Sequence, residues 1–332
     1  MQRLDYPEFL ARRDAYDAAV AAMPGSELSR FCSASHWILA ARGHLAGEEW
    51  AGSEGDFIWW DEASGTWLVF GEAARGYWQP FEAAWLFACP AVGPEAEATV
   101  NCLEQAARLG DGSTAFAVGG LPEGSGLLDR LRHWGRHRAQ GYREFPGIDC
   151  LAIELGDGAE AWLARRSRKF RRSLFTAQRR CEEAGLTIES HRGGGDGSDP
   201  DRLFSRLMAL QQRTAKWAGG SDIFLDRQYR AFYRDLFRDL HRTGSLRLLL
   251  ASCEGEDAGF IFGGIFGGEY RGLQMSYDET CAHLGLGNWL QWQNLQRCEA
   301  EGVALYDLGM EAAYKLRWAD RRRVMRLAFI AF

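Results

Sequence analysis

Residues 246–308 carry the succession that most limits the possible folds. Strand-length apolar runs at 246–252, 258–266 and 271–277 are followed by a glycine-marked loop, a helix-length stretch at 288–301 and one more short run at 303–308. Runs of this length bounded by turn residues read as strands, so this part of the chain is a mixed α/β unit. Upstream, a helix is expected over 159–184, its apolar stripe Leu163, Phe170, Leu174, Ala177, Cys181 and Ala184 at helical spacing, then a strand at 186–189 and helices at 201–217 and 227–242. Downstream, a Tyr-Lys helix around residue 314 and a last strand over 324–332 complete the pattern.

The chain has 332 residues, more than one core usually organises, which predicts two domains. Pro146-Gly147 marks a turn before a strand at 148–155, and the boundary is placed there, giving domains 1–150 and 151–332. The first domain reads as a helical opening at 6–23 and strands at 57–60 and 66–70 around Ser64-Gly65. A strand at 85–89, a helix at 95–109, a strand at 114–118 and a helix at 126–138 follow. Both domains mix strands with helices, so the fold class is α/β (α+β).

Charge is unevenly shared. Residues 1–150 hold 12 basic and 21 acidic side chains and residues 151–332 hold 27 and 24, so the halves carry −9 and +3, which sum to the chain's −6. An anionic ligand would go to the second half. The eight cysteines have no close-spaced pair and no His at ligand spacing, which argues for buried small side chains and against a metal site or disulfide framework. No apolar run approaches membrane-spanning length, and the N-terminus lacks a signal-peptide core, so a cytoplasmic protein without a membrane span is expected.

Only three of the 39 basic residues are lysines, Lys169, Lys216 and Lys315. A lysine kept in so arginine-rich a chain stands where a compact donor with a movable pKa is useful. Lys315 adjoins Tyr314 and follows Asp307, so three proton-transferring groups come after a strand. A second feature is the strand, loop and helix of residues 273–289. Gly285 and Gly287 allow close backbone approach, and the helix beyond them offers free N–H groups to an anion such as a pyrophosphate. The third glycine of a dinucleotide loop and the Gly-Lys-Ser/Thr of a P-loop are absent.

Strand, glycine loop, helix, strand and Tyr-bearing segment in this order resemble the GNAT acyltransferase fold. Gly287, Glu301-Gly302, Tyr306-Asp307-Leu308-Gly309 and Tyr314-Lys315-x-x-Trp318 look more specifically like the CelD/BcsL-type acetyltransferases, relatives of the Fem-type aminoacyltransferases. The resemblance covers about residues 150–332. Through Trp78-Gln79-Pro80, Trp85-Leu86-Phe87 and Gly119-Gly120-Leu121-Pro122 the first half is similar to the degenerate N-terminal GNAT-like domain of such proteins. It implies two tandem GNAT-like domains, each a mixed central sheet flanked by helices. An acyl-CoA, usually acetyl-CoA, would be the donor, and an amine or hydroxyl of a small molecule or saccharide the acceptor. The usual pyrophosphate loop has Arg or Gln three positions before its first glycine. Here that position is Ala282, which leaves an acyl carrier protein or aminoacyl-tRNA donor open, and also a GNAT-fold binding protein without catalysis.

Within this frame acyl transfer needs a base, oxyanion donors and an acid for the leaving thiolate. Asp307 and Asp278, each at a strand end, are the base candidates. The resemblance gives Tyr314 the acid role, Lys315 can hold the oxyanion or a phosphate, and Leu284, Gly285, Leu286, Gly287 and Asn288 form the donor-binding segment. Asp307 could equally cap the segment after Gly309 or pair with Arg317. Eight cations and no carboxylate lie between Trp162 and Cys181, a surplus that invites an anionic partner, with Arg168, Lys169 and Arg172 as its candidate contacts.

Overall fold

The computed structural model describes residues 1–45, 56–109, 114–137 and 141–331. It divides into two compact units, Met1–Asp149 with Arg323–Phe332, and Cys150–Arg322. The expected helix end at Arg138 and strand end at Phe332 lie outside the described residues.

In the first unit the strands are β1 (Gln2–Leu4), β2 (Asp56–Asp61), β3 (Thr66–Ala74), β4 (Tyr77–Pro80), β5 (Ala91–Val92), β6 (Ala115–Pro122) and β7 (Gly141–Pro146). The second sheet is made of β8 (Cys150–Glu154), β9 (Thr187–His191), β10 (Leu246–Cys253), β11 (Glu256–Phe266), β12 (Glu269–Tyr277), β13 (Leu305–Met310) and β14 (Arg321–Arg323). The last strand, β15 (Met325–Ala331), returns to the first unit and lies between β6 and β7, antiparallel to both. This corrects the placement of 324–332 in the second domain. Alternating burial identifies a strand but not the sheet that has an open place for it.

The first sheet runs β1-β2-β3-β4-β6-β15-β7 with β5 on β3, and the second runs β14-β8-β13-β12-β11-β10-β9. Both are mixed sheets flanked by helices, the architecture of the GNAT fold. In the second unit successive residues of β11 point to opposite faces. Phe262 meets the rings of Phe237 and Tyr233 beneath the helices Pro200–Gln211 and Arg227–Arg242. Its neighbour Ile261 packs with Leu286, Trp289 and Leu290 of the helix Leu286–Ala300 on the other face. On that face Trp162 stacks between Trp292 and Trp318, at centroid distances of 6.0 and 5.4 Å.

Two expected elements are absent, each for a local reason. Residues 85–89 form no strand because the buried Glu82 carboxylate gathers the N–H groups of Trp85, Leu86 and Phe87 at 2.6, 3.2 and 2.8 Å. Their donors are therefore unavailable to a ladder. Residues 311–318 form turns rather than a helix: Lys315 N–H donates to the Ala312 carbonyl and Trp318 N–H to that of Lys315, both at 2.9 Å. Trp318 is drawn into the tryptophan stack, and its carbonyl accepts from Trp162 Nε1 at 3.1 Å. The expected helix 159–184 breaks into Ala159–Ala164 and Arg168–Glu183, where Ser167 caps the second piece by accepting from Phe170 N–H. That helix buries Phe170, Leu174, Ala177 and Cys181, all of them in the predicted stripe.

Candidate active site

The site begins where two strands part. β12 and β13 run parallel through Glu269↔Leu305, Tyr270↔Tyr306 and Arg271↔Asp307, and among the described residues the register stops there. Beyond it Gly272, Leu273, Gln274 and Met275 line a cleft of about 50 Å³, with Tyr306, Leu308 and Gln291 across from them and Tyr314, Lys315 and Trp318 from the turns after β13. On this side the backbone of 272–275 has no ladder partner, so its polar groups are left to water or to a ligand.

The floor of the cleft is an ordered polar cluster. The buried Tyr306 hydroxyl accepts from Gln291 Nε2 at 2.8 Å and Asn294 Nδ2 at 2.7 Å, both on the helix Leu286–Ala300, and its ring lies 4.3 Å from that of Tyr270. Burial pushes both phenols well above their ordinary pKa, so they stay protonated and serve as fixed dipoles.

At the open end stands Lys315, half-buried, its Nζ donating to the Met310 carbonyl at 3.0 Å. Burial first, and then the neighbouring Arg271 guanidinium, lower its pKa to about 8, while Asp307 partly opposes them. Lys216 adds a further repulsive charge, so two of the chain's three lysines share one electrostatic neighbourhood. Tyr314 is half-exposed, its ring 5.7 Å from the Lys315 ammonium, and burial raises its pKa.

Asp307 is held very differently from a poised base. It is buried, with Oδ2 2.7 Å from Arg271 Nη1 and Oδ1 accepting from Gly309 N–H at 2.7 Å. Arg271 is buried as well, and its Nη1 also lies 3.6 Å from Cys150 Sγ. Arg317, the alternative partner in the sequence reading, instead donates to Asn288 Oδ1 at 2.8 Å. Asp278 stands away from this group. Its Oδ1 accepts from Thr280 N–H as the cap of the turn Glu279–Leu284, and its Oδ2 meets Arg213 Nε at 2.7 Å. Burial works against the charge, but these bonds hold the carboxyl below its usual pKa.

The segment 284–288 is built for packing as much as for approach. Leu284 ends the turn, and Gly285 adopts a φ of 77°, where an added Cβ would stand 2.9 Å from that of Ala177. Leu286 is fully buried, and Gly287 is backed by the Tyr277 ring, 3.1 Å from where its Cβ would be. Of the eight cations on the basic stretch, five are engaged. Arg165 meets Asp157 and Asp320, Arg166 meets Asp320, Arg171 donates to two carbonyls, Arg179 meets Glu183 and Arg180 donates to the His283 carbonyl. Arg168, Lys169 and Arg172 are exposed and, among the described residues, have no ion pair.

The structure thus brings Lys315, Tyr314 and Asp307 together, engages Asp278 with Arg213 instead, and sets the basic helix against the cleft's lining through Phe170, whose ring lies 5.1 Å from that of Trp318. The sequence reading missed Arg271, Gln291, Asn294 and the open edge at 272–275. A buried aspartate in a strand does demand a countercharge, which is the one signal that could have pointed to Arg271.

The first unit repeats the plan with a different outcome. β4 and β6 are parallel through Tyr77↔Ala115 and Trp78↔Phe116. Past that point Gly120 N–H donates to the Leu86 carbonyl at 2.8 Å, and a Cβ on Gly120 would meet the Phe87 oxygen at 2.5 Å. The chain's own residues 86–88 therefore fill the wedge that is open in the second unit.

Comparison with known proteins agrees with this geometry. Residues 168–316 match the family described as an acetyltransferase (GNAT) domain. FemX superimposes with a TM-score of 0.66 at 12% identity, covering 99% of this chain and 97% of that one. A conserved protein of unknown function from Bacteroides thetaiotaomicron gives 0.64 at 12%, covering 97% of each chain. The C-terminal domain of a putative lysylphosphatidylglycerol synthetase from Agrobacterium fabrum gives 0.56 at 14%, covering 96% of this chain and 91% of that one. No curated protein matches. The chain is a transferase with the GNAT fold. Among the described residues no helix is long and apolar enough to cross a membrane, and no cluster of three or more His, Cys, Asp or Glu could hold a metal.

Proposed function

We propose that the cleft of the second unit holds an acyl thioester, acyl-CoA in the first instance, and that the chain moves its acyl group to an amine or hydroxyl of a small molecule or saccharide. The observation that carries this reading is the parting of β12 and β13 beside Lys315. An extended ligand carrying amides pairs with an open strand edge, as in strand addition generally.

In such a transfer the acceptor's N or O attacks the thioester carbonyl carbon. The new C–N or C–O bond forms as the C–S bond breaks, the acceptor loses a proton and the thiolate gains one. Lys315, with a pKa near 8, is present in both forms near neutrality, so it can donate to the oxyanion as ammonium or take a proton as amine. Tyr314, which lines the cleft and whose pKa burial raises, supplies the thiolate's proton in this reading. Asp307 and Asp278, both engaged in ion pairs, have positioning roles in this reading.

An aminoacyl-tRNA donor is the second reading, supported by the exposed Arg168, Lys169 and Arg172, which have no ion pair among the described residues. The two are separated by one set of measurements. Acetyl-CoA is expected to raise the melting temperature, by an amount equivalent to about 2.7 kcal/mol at a hundred times its dissociation constant. An unmoved melting temperature, with retention of aminoacyl-tRNA whose affinity falls steeply with salt, would transfer the donor role to tRNA. Indifference to both, and to an acyl carrier protein, would leave a GNAT-fold binding protein.

A further inference from the structure

A second cavity, of about 540 Å³, opens between the helices Pro200–Gln211 and Arg227–Arg242. Its floor is apolar, from Phe204, Met208 and Ala231, while Arg227, Arg230 and Arg234 line it from a single helix. Those three arginines stand at i, i+3 and i+7, so they share a face. None of the lining residues is acidic. Asp235 pairs with Arg234 at 3.9 Å and with Arg238 at 3.4 Å, Asp201 pairs with Arg238 and also feels the Arg234 charge, and Asp226 caps the helix. Arg230 donates to the Phe224 and Leu225 carbonyls, which fixes its guanidinium beside the groove.

Each half of this lining is unfavourable alone. An open apolar floor stays wetted, and a row of like charges on one helix face repels itself. One kind of occupant relieves both. We propose that the groove binds a single-chain anionic amphiphile with a phosphate head, the head on Arg227, Arg230 and Arg234 and the chain along Phe204, Met208 and Ala231. Guanidinium forks match phosphate oxygens, and the volume lies in the range of small-ligand sites. The groove is also tied to the edge of the catalytic cleft's sheet. Arg213, the residue after the groove's Gln212, pairs with Asp278 at the end of β12, and its carbonyl accepts from Glu279 N–H at 3.3 Å. This proposal stands on the groove alone and survives failure of the thioester reading.

Dodecyl phosphate, below its micelle concentration, is the probe, with binding followed by calorimetry on the full chain. Arg227→Glu combined with Arg234→Glu changes two exposed side chains and is expected to weaken binding about tenfold or more. Ala209→Trp fills the groove and is expected to weaken it comparably, with circular dichroism and melting confirming that both variants fold. Inorganic phosphate and dodecyl maltoside are each expected to bind far more weakly than dodecyl phosphate. The proposal is overturned by absence of dodecyl phosphate binding to the parent chain, by equal affinity in the variants, or by equal affinity for either control.

Discussion

Lys315→Met is expected to lower acyl transfer by about a hundredfold or more while making the protein more stable at pH 7. The rate loss is that of a proton-transferring group at the reacting centre. The stability gain follows from the lysine's pKa, held at about 8 by burial and by Arg271. Because the folded value lies below the unfolded one, the unfolded chain binds the proton more tightly. The lysine therefore costs stability throughout the range below pH 8, and the cost is relieved as pH rises from about 8 towards the ordinary lysine value. Its removal should return on the order of 1 to 3 kcal/mol at neutral pH and progressively less above pH 8. Lys315→Arg keeps a charge that is not shed and so should show the rate loss without the gain. Tyr314→Phe should slow transfer with little change in melting, its hydroxyl being at a half-exposed position. Denaturant titration at pH 7 and pH 9.5 beside initial rates tests this directly. A variant as fast as the parent would make Lys315 a packing residue.

Asp307→Asn should cost about 3 to 5 kcal/mol of stability, because it removes the carboxylate charge paired with the buried Arg271. Replacing both, Asp307→Leu with Arg271→Met, should recover most of that loss, since an apolar pair needs no partner in the interior. A general base would behave otherwise, with Asp307→Asn folding as well as the parent and only the rate collapsing. Equilibrium unfolding of the two single variants and the double variant decides between these outcomes.

These two residues also show where a linear reading stops. The runs at 246–252, 258–266 and 271–277 were legible as strands because each is a strand-length run bounded by turn residues, and they became β10, β11 and β12. The stripe Phe170, Leu174, Ala177 and Cys181 was legible because it repeats at helical spacing, one face of a helix being buried. Register across a parallel pair is another matter. Asp307 meets Arg271 only because β12 and β13 are joined in one alignment out of several, and nothing local to either strand states it. The Tyr-Lys segment fails as a helix because Trp318 is claimed by a stack with Trp162, a long-range demand that outweighs local propensity. Trp85-Leu86-Phe87 has every mark of a strand and is turned aside by one carboxylate, Glu82. That carboxylate helps to hold the loop that fills the wedge of the first unit, whereas among the described residues the wedge of the second is open.

The most direct test of the account is amide hydrogen exchange of the full chain with and without acetyl-CoA. The open edge of β12 should gain protection within residues 272–275, together with the turns carrying Tyr314 and Lys315, while the filled wedge at residues 86–88 and 119–120 should not change. Protection at the first unit's wedge, or none along residues 272–275 under saturating donor, would contradict the assignment of the donor site to the parting of β12 and β13.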